Sequence, residues 1–238
     1  MSAPVSPRPL VNIVMAFIFG VLAATLIVML VERLDDRIHE QEAAERLTGM
    51  MSLTRIPMEA QQTRLVDALP YHSDFVESFR ILRNNISFMG IDEPLKCLAV
   101  LSSGPSEGKS TTVANLAAVF AQEGKRVLII DCDLHRPNIH TFFGLSPDAG
   151  LTNVLVGSAT LETAICETGI AGVSLLPTGP LPPNPTEVLN SQQNHRLIRE
   201  LAGRYDVVLL DCPPCLKMSD VQIIATMVDA LLFVVALE

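Results

Sequence analysis

The sequence predicts an α/β fold, a mostly parallel sheet with helices on both faces, preceded by one transmembrane helix. Three observations predict it. Short continuous apolar runs ("KCLAVLS" at 96–102, "RVLIID" at 126–131, "VSLLP" at 173–177, "DVVLLD" at 206–211, "ALLFVVA" at 230–236) alternate with helix-prone segments, the pattern of strands buried on both faces. The stretch "VNIVMAFIFGVLAATLIVMLV", from Val11 to Val31, carries no charge over about 21 residues, enough to cross a bilayer. Finally, "SSGPSEGKSTT" (102–112) places a Gly/Ser-rich turn between a strand and a helix.

In chain order, residues 1–10 form a proline-rich extracytoplasmic stub whose prolines (Pro4, Pro7, Pro9) favour an extended approach. Residues 11–31 are the transmembrane helix. A signal peptide would have a shorter apolar core and a small-x-small cleavage site, whereas "VERLDDRIHE" follows here. A buried helix of a soluble protein is seldom apolar on every side for so long. Arg33, Arg37 and Arg46 follow the span and only Arg8 precedes it, which places the C-terminal side in the cytoplasm. Residues 32–70 read as a juxtamembrane helix and linker with at most one short helical turn. Residues 71–238 form the catalytic-type domain. It opens with a helix over 73–89, with Phe75, Val76, Phe79, Leu82 and Ile86 at helical spacing and Gly90 as its stop. Helices are expected over 109–124, 186–203 and 220–228. The chain stops at Glu238 just after a buried strand, where a doubly wound domain usually adds a helix, so the domain is expected to be incomplete at its C-terminus.

The net charge of −9 argues against nucleic acid as a partner, because phosphate backbones need a basic face. Five cysteines at irregular spacings do not make a disulfide framework. Cys212 and Cys215 do stand at C-x-x-C spacing. A redox pair would want its first cysteine at a helix N-terminus, and Pro213 and Pro214 delay any helix; a zinc site would want a second such pair. The stretch is better read as a strand ending in Asp211.

The chemistry concentrates in three places. In the loop Ser103, Gly104, Pro105, Ser106, Glu107, Gly108, Lys109, Ser110 and Thr111, the pattern G-x-x-x-x-G-K-[ST] is met except that Ser103 holds the first position. Its glycines let successive N–H groups face a phosphate, and the following helix adds its positive end. Lys109 would reach the β- and γ-phosphates of ATP and Ser110 would ligate Mg²⁺. These features make the fold one of the P-loop NTPase type. Asp131 and Asp133 end a strand next to the one that feeds this loop, and Asp211 ends another. Carboxylates at the carboxyl ends of parallel strands are costly without a cation, and Mg²⁺ takes one or two of them beside phosphate oxygens.

In this order the three elements resemble the bacterial tyrosine kinases, which use a P-loop fold unrelated to eukaryotic kinases. Lys109 and Ser110 match that family's phosphate loop, Asp131 and Asp133 its apolar-strand D-x-D motif, and Asp211, Pro213 and Pro214 its D-[TS]-P-P motif. Glu77, Arg80 and Arg83 match an E-x-x-R-x-x-R motif that packs subunits into a ring; read alone they are solvated helical ion pairs. "GPLPPNPTEVL" (179–189) is similar to a further family segment, and the N-terminal span with "ERLDDRIHEQEAAERLTG" is similar to the second membrane helix of polysaccharide chain-length regulators. The resemblance implies a single-pass protein of the bacterial inner membrane with a cytoplasmic domain. It implies a protein-tyrosine (auto)kinase that regulates capsular or exopolysaccharide polymerisation and export, with Asp131 receiving the tyrosine proton. The implied partners are further copies of the chain, the export machinery and the tyrosine-rich tail of a neighbouring chain. His135 replaces a frequent Arg and Cys212 a Thr or Ser, and only Tyr71 and Tyr205 are present. Two alternatives are a non-catalytic co-polymerase subunit and a plain ATPase switch; the latter usually carries a second lysine where Gly104 stands.

Overall fold

The computed structural model describes residues 9–34, 45, 49–57, 65–68, 73–215 and 220–236. The chain divides into two compact units, 1–43 with 237–238, and 44–236.

In the first unit, helix α1 runs Pro9–Leu34, starting inside the proline-rich segment because proline is tolerated in a first helical turn. Its stretch Leu10–Leu30 has a mean hydropathy of 2.8 and none of it is buried. At 1.5 Å per residue that stretch is about 32 Å long, which matches a hydrocarbon core. Of the expected juxtamembrane helix over 32–47, residues 32–34 continue α1, while 35–44 and 46–47 lie outside the described residues.

The second unit holds a six-stranded sheet. Its strands are β1 (Cys97–Ser102), β2 (Val127–Asp131), β3 (Cys166–Glu167), β4 (Val173–Leu176), β5 (Val207–Asp211) and β6 (Ala230–Val234), in the order β3-β4-β2-β5-β1-β6. All pairings are parallel except β3 with β4. The two-residue β3 leaves too little sequence for any pattern to reveal it. Strand alternation divides the core. Leu98, Val100, Val127, Ile129, Leu175 and Leu209 face one layer, while Ala99, Leu101, Leu128, Ile130, Leu176 and Leu210 face the other.

The first layer is built by α2 (Asp74–Met89) and α3 (Lys109–Ala121). Ser73 caps α2 by accepting from the Val76 N–H at 3.2 Å, and Gly90 ends it. The expected helix boundaries thus hold, with Phe75, Val76, Phe79, Leu82 and Ile86 in the core. The 3₁₀ turn Val66–Ala68 supplies the one short turn read in the linker. Val66 is buried and donates its N–H to Asn115 Oδ1 at 2.6 Å, so this segment is held against the domain.

Helix α4 (Ile139–Phe142) packs its Ile139 into the first layer, while the opposite layer contains α5 (Leu151–Leu155), α6 (Leu161–Ala164), α7 (Pro185–Leu189), α8 (Gln192–Arg204) and α9 (Asp220–Ala225). The single helix expected over 186–203 is two, α7 and α8. Asn190 ends α7, and Ser191 starts α8 by accepting from the Asn194 N–H at 3.1 Å. Likewise β6 is an edge strand, partly exposed, rather than a buried one. Its apolar run reads as buried in sequence, but Leu231 is 48% exposed.

Candidate nucleotide site

The carboxyl ends of β1, β2 and β5 lie side by side, so the loops that leave them share one edge of the sheet. After β1 the chain turns through 103–108 into α3. Gly108 has φ +93°, a left-handed value that lets the loop reverse into the helix. Ser106 has φ +66° and is the described non-glycine residue with positive φ. We expect Ser106→Gly to stabilise the protein by about 0.5–1 kcal/mol, because an L side chain is strained there; urea denaturation would measure it.

Within the loop, the Glu107 carboxylate accepts from the Ser103 and Gly104 N–H groups, each at 3.0 Å, and from Ser103 Oγ at 2.5 Å. Ser103, which breaks the sequence pattern, therefore works together with Glu107 to fix the loop's shape. Pro105 and Ser106 form the exposed tip, and Thr111 lies in the first turn of α3. Lys109 opens α3 and is 8% exposed.

Ser110 Oγ donates to Asp211 Oδ2 at 2.7 Å. Asp211 is in register with Asp131 across β5 and β2, and its carbonyl accepts the Cys132 N–H at 2.9 Å. Both aspartates are buried, and the oxygens Asp131 Oδ2 and Asp211 Oδ1 have no hydrogen-bond partner among the described residues. Burial pushes the Asp211 carboxyl up to about 7, opposed by the Ser110 hydrogen bond and the Lys109 charge. Burial, then the nearby Asp211, pushes Asp131 well above the usual carboxylate range.

Two orphaned carboxylate oxygens beside a serine hydroxyl suit a hard cation that takes few protein ligands and completes its shell with phosphate oxygens and water. Ser110, Asp131 and Asp211 are the residues so placed. Asp133 is turned differently. Its Oδ1 accepts the backbone N–H groups of His135 at 3.2 Å and Arg136 at 2.9 Å, so it shapes the loop after β2. Among the described residues no three His, Cys, Asp or Glu side chains converge as a ready-made metal cage.

Cys212 and Cys215 are both free thiols. Burial pushes the Cys212 and Cys132 thiols well up and Cys97 to about 12, so these three are poor nucleophiles. The 610 Å³ cavity lined by Arg126, Gly172, Val173 and Tyr205 lies at the amino ends of β2, β4 and β5, the opposite edge of the sheet.

On α2, Glu77 pairs with Arg80 at 3.4 Å. Arg83 instead reaches across to α3, donating to the Val119 carbonyl at 3.1 Å and pairing with Glu123 at 2.9 Å. It caps the carboxyl end of the helix whose amino end opens the loop. Arg83→Ala is expected to cost about 1–2 kcal/mol, seen as a lower thermal midpoint, because a charged donor to a helix carbonyl is lost.

A glycine-rich loop, a buried lysine and two strand-end aspartates at one sheet edge define a P-loop nucleotide-binding protein. An AAA domain family matches residues 95–238. The tyrosine-protein kinase YwqD of Bacillus subtilis is 42% identical over 160 residues, covering 67% of this chain and 68% of YwqD. The tyrosine-protein kinase ptk of Acinetobacter johnsonii is 30% identical over 234 residues, covering 93% of this chain and 32% of ptk, so the chain spans about a third of that longer relative. The kinase domain of Escherichia coli tyrosine kinase ETK superposes with a TM-score of 0.75 at 30% identity, covering 83% of this chain and 82% of that domain. The septum site-determining protein MinD of Pyrococcus horikoshii, complexed with Mg-ADP, superposes with a TM-score of 0.51 at 28% identity over 58% of this chain and 57% of MinD. The chain belongs to the bacterial tyrosine-protein kinase family.

The sequence singled out Lys109, Ser110, Asp131 and Asp211, which stand at this edge, but not the reach of Glu107 back onto its own loop. It also gave no sign of Asp220, a buried acid that joins His135 and Thr186.

Proposed function

We propose that this chain is a Mg²⁺- and ATP-dependent protein-tyrosine kinase of the bacterial inner membrane, with the unit 44–236 in the cytoplasm. It acts on tyrosines of neighbouring copies and serves capsular or exopolysaccharide polymerisation and export. The observation that carries the catalytic part is the hydrogen bond from Ser110 to Asp211, with Asp131 in register beside it and an orphaned oxygen on each carboxylate. The Mg-ADP bound by the MinD relative supports the cofactor. The membrane setting is supported by α1 and by the resemblance of 1–48 to chain-length regulators.

The loop N–H groups and Lys109 hold the β- and γ-phosphates and oppose the charge that develops on the transferred group. Ser110, Asp131 and Asp211 would hold Mg²⁺, which supplies further charge neutralisation when bound. A tyrosine hydroxyl oxygen attacks the γ-phosphorus, the bond from phosphorus to the ADP oxygen breaks, and the hydroxyl proton passes to Asp131.

The test is phosphotyrosine formation by the full chain in detergent on a glutamate–tyrosine copolymer. Activity that requires both ATP and Mg²⁺ is expected. ATP hydrolysis without phosphotyrosine would instead indicate an ATPase switch.

A further inference from the structure

Asp220 is 1% exposed yet belongs to none of the motifs above. Its Oδ1 accepts from Thr186 Oγ1 at 2.5 Å, and its Oδ2 lies 3.0 Å from His135 Nε2. A carboxylate only accepts, so His135 presents a proton on Nε2 in this contact. The three residues come from three separate connections, His135 from a loop, Thr186 from α7 and Asp220 from the start of α9. His135 follows β2, Thr186 follows β4, and Asp220 follows β5. In the sheet order β4-β2-β5-β1, these connections leave the strands on the side of Asp131 and Asp211, and the phosphate loop itself takes no part. Close approach keeps the chain after β4 in place. At Gly179, with φ +81°, an added Cβ would lie 2.6 Å from Asn153 Oδ1 and 2.8 Å from Thr152 Oγ1. A buried carboxylate is costly unless its oxygens are satisfied, so each of the two partners is held firmly by it.

We propose that Asp220 is a positioning residue for the phosphoryl acceptor. By tying His135 and Thr186 together it shapes the wall along which a tyrosine-bearing segment approaches the γ-phosphate, without contributing to nucleotide binding. The inference rests on the kinase reading above. In that reading the nucleotide lies on the β1 loop, and the acceptor enters past the segments that carry His135, Thr186 and Asp220.

The experiment measures phosphotyrosine formation on a glutamate–tyrosine copolymer by the full chain in detergent, with equilibrium ATP binding measured in parallel. Asp220→Ala is expected to lower kcat/KM for the copolymer about tenfold or more while ATP affinity stays within about twofold. Asp220→Asn should recover most of the loss. Its amide oxygen accepts from Thr186 and its NH₂ faces the other tautomer of His135, so hydrogen bonding rather than charge is required. A parallel fall in ATP affinity and copolymer efficiency in Asp220→Ala, or no fall in efficiency, would overturn the proposal. Should Asp220→Ala lack a cooperative melt, Thr186→Val decides, since it deletes one hydrogen bond; unchanged copolymer efficiency there overturns it. An unsubstituted chain that forms no phosphotyrosine would overturn the kinase reading and this inference with it. Activity indifferent to Asp220 would overturn the inference alone.

Discussion

Replacing Lys109 with alanine is expected to lower phosphotyrosine formation by about 10²-fold or more and ATP affinity by at least about tenfold, with the fold intact. Lys109 is nearly buried at the first position of α3, and its charge acts on Asp211, lowering that carboxyl against the effect of burial. A charge-assisted hydrogen bond to phosphate is worth about 1.5–3 kcal/mol, which sets the affinity loss. The rate falls further because the charge on the transferred group is greatest in the transition state, where the lysine is most needed. Lys109→Arg should not restore activity, since a planar guanidinium does not fit the space of a compact ammonium. Isothermal titration with ATP and Mg²⁺, beside a phosphotyrosine assay and a thermal melt, checks all three statements. An alanine variant that binds ATP as tightly as the unsubstituted chain would remove the loop from the site.

The second large effect is on stability. Without ligand, the protein is expected to lose stability as pH rises from about 4 to about 7. Asp211 is pushed up to about 7 and Asp131 also well up, from an ordinary value of 3.8, so in this window the folded chain binds more protons than the unfolded one. Stability therefore falls as pH rises, is fully retained below the unfolded value, and levels off above the folded one. At 1.36 kcal/mol per unit, Asp211 alone accounts for a loss on the order of a few kcal/mol. Asp206 and Glu162 are held below the usual range chiefly by backbone hydrogen bonds, and they act in the opposite sense as pH falls below about 4. The two effects occupy different windows. Asp211→Asn still accepts from Ser110 but carries no charge, so it should flatten the slope between about pH 4 and 7 and raise the ligand-free midpoint at pH 8. It should also abolish phosphoryl transfer. Added Mg²⁺ and nucleotide should flatten the slope of the unsubstituted protein by neutralising the pair. A thermal midpoint that rises steadily with pH across that window would show that the two carboxylates are not buried together.

Much of the fold was legible because its signals are local. Five of the six strands are continuous apolar runs, and α2 shows its buried face at helical spacing between Ser73 and Gly90. The phosphate loop and the strand-end aspartates were equally plain, since each is a short pattern whose meaning depends only on the strand before it. Elsewhere the sequence was silent or incomplete. Arg83 looks like a surface charge of α2 until α3 packs beside it and offers the Val119 carbonyl. Asp133 reads as a twin of Asp131, yet one residue of turn redirects its carboxylate to backbone N–H groups of its own loop. Nothing local reveals β3, whereas the Ser191 cap that splits one expected helix into α7 and α8 is a local signal that the apolar pattern overrode.

The sequence by itself therefore determined the α/β class, the apolar span, the phosphate loop and the residue types of the site, because periodicity, length and turn chemistry act over a few neighbouring positions. Only the tertiary structure decided which carboxylates share one buried edge, and that Asp220 ties together residues 34 and 85 positions away. Such pairings depend on sheet order and on which loops leave the same edge, and those are set by packing of the whole domain.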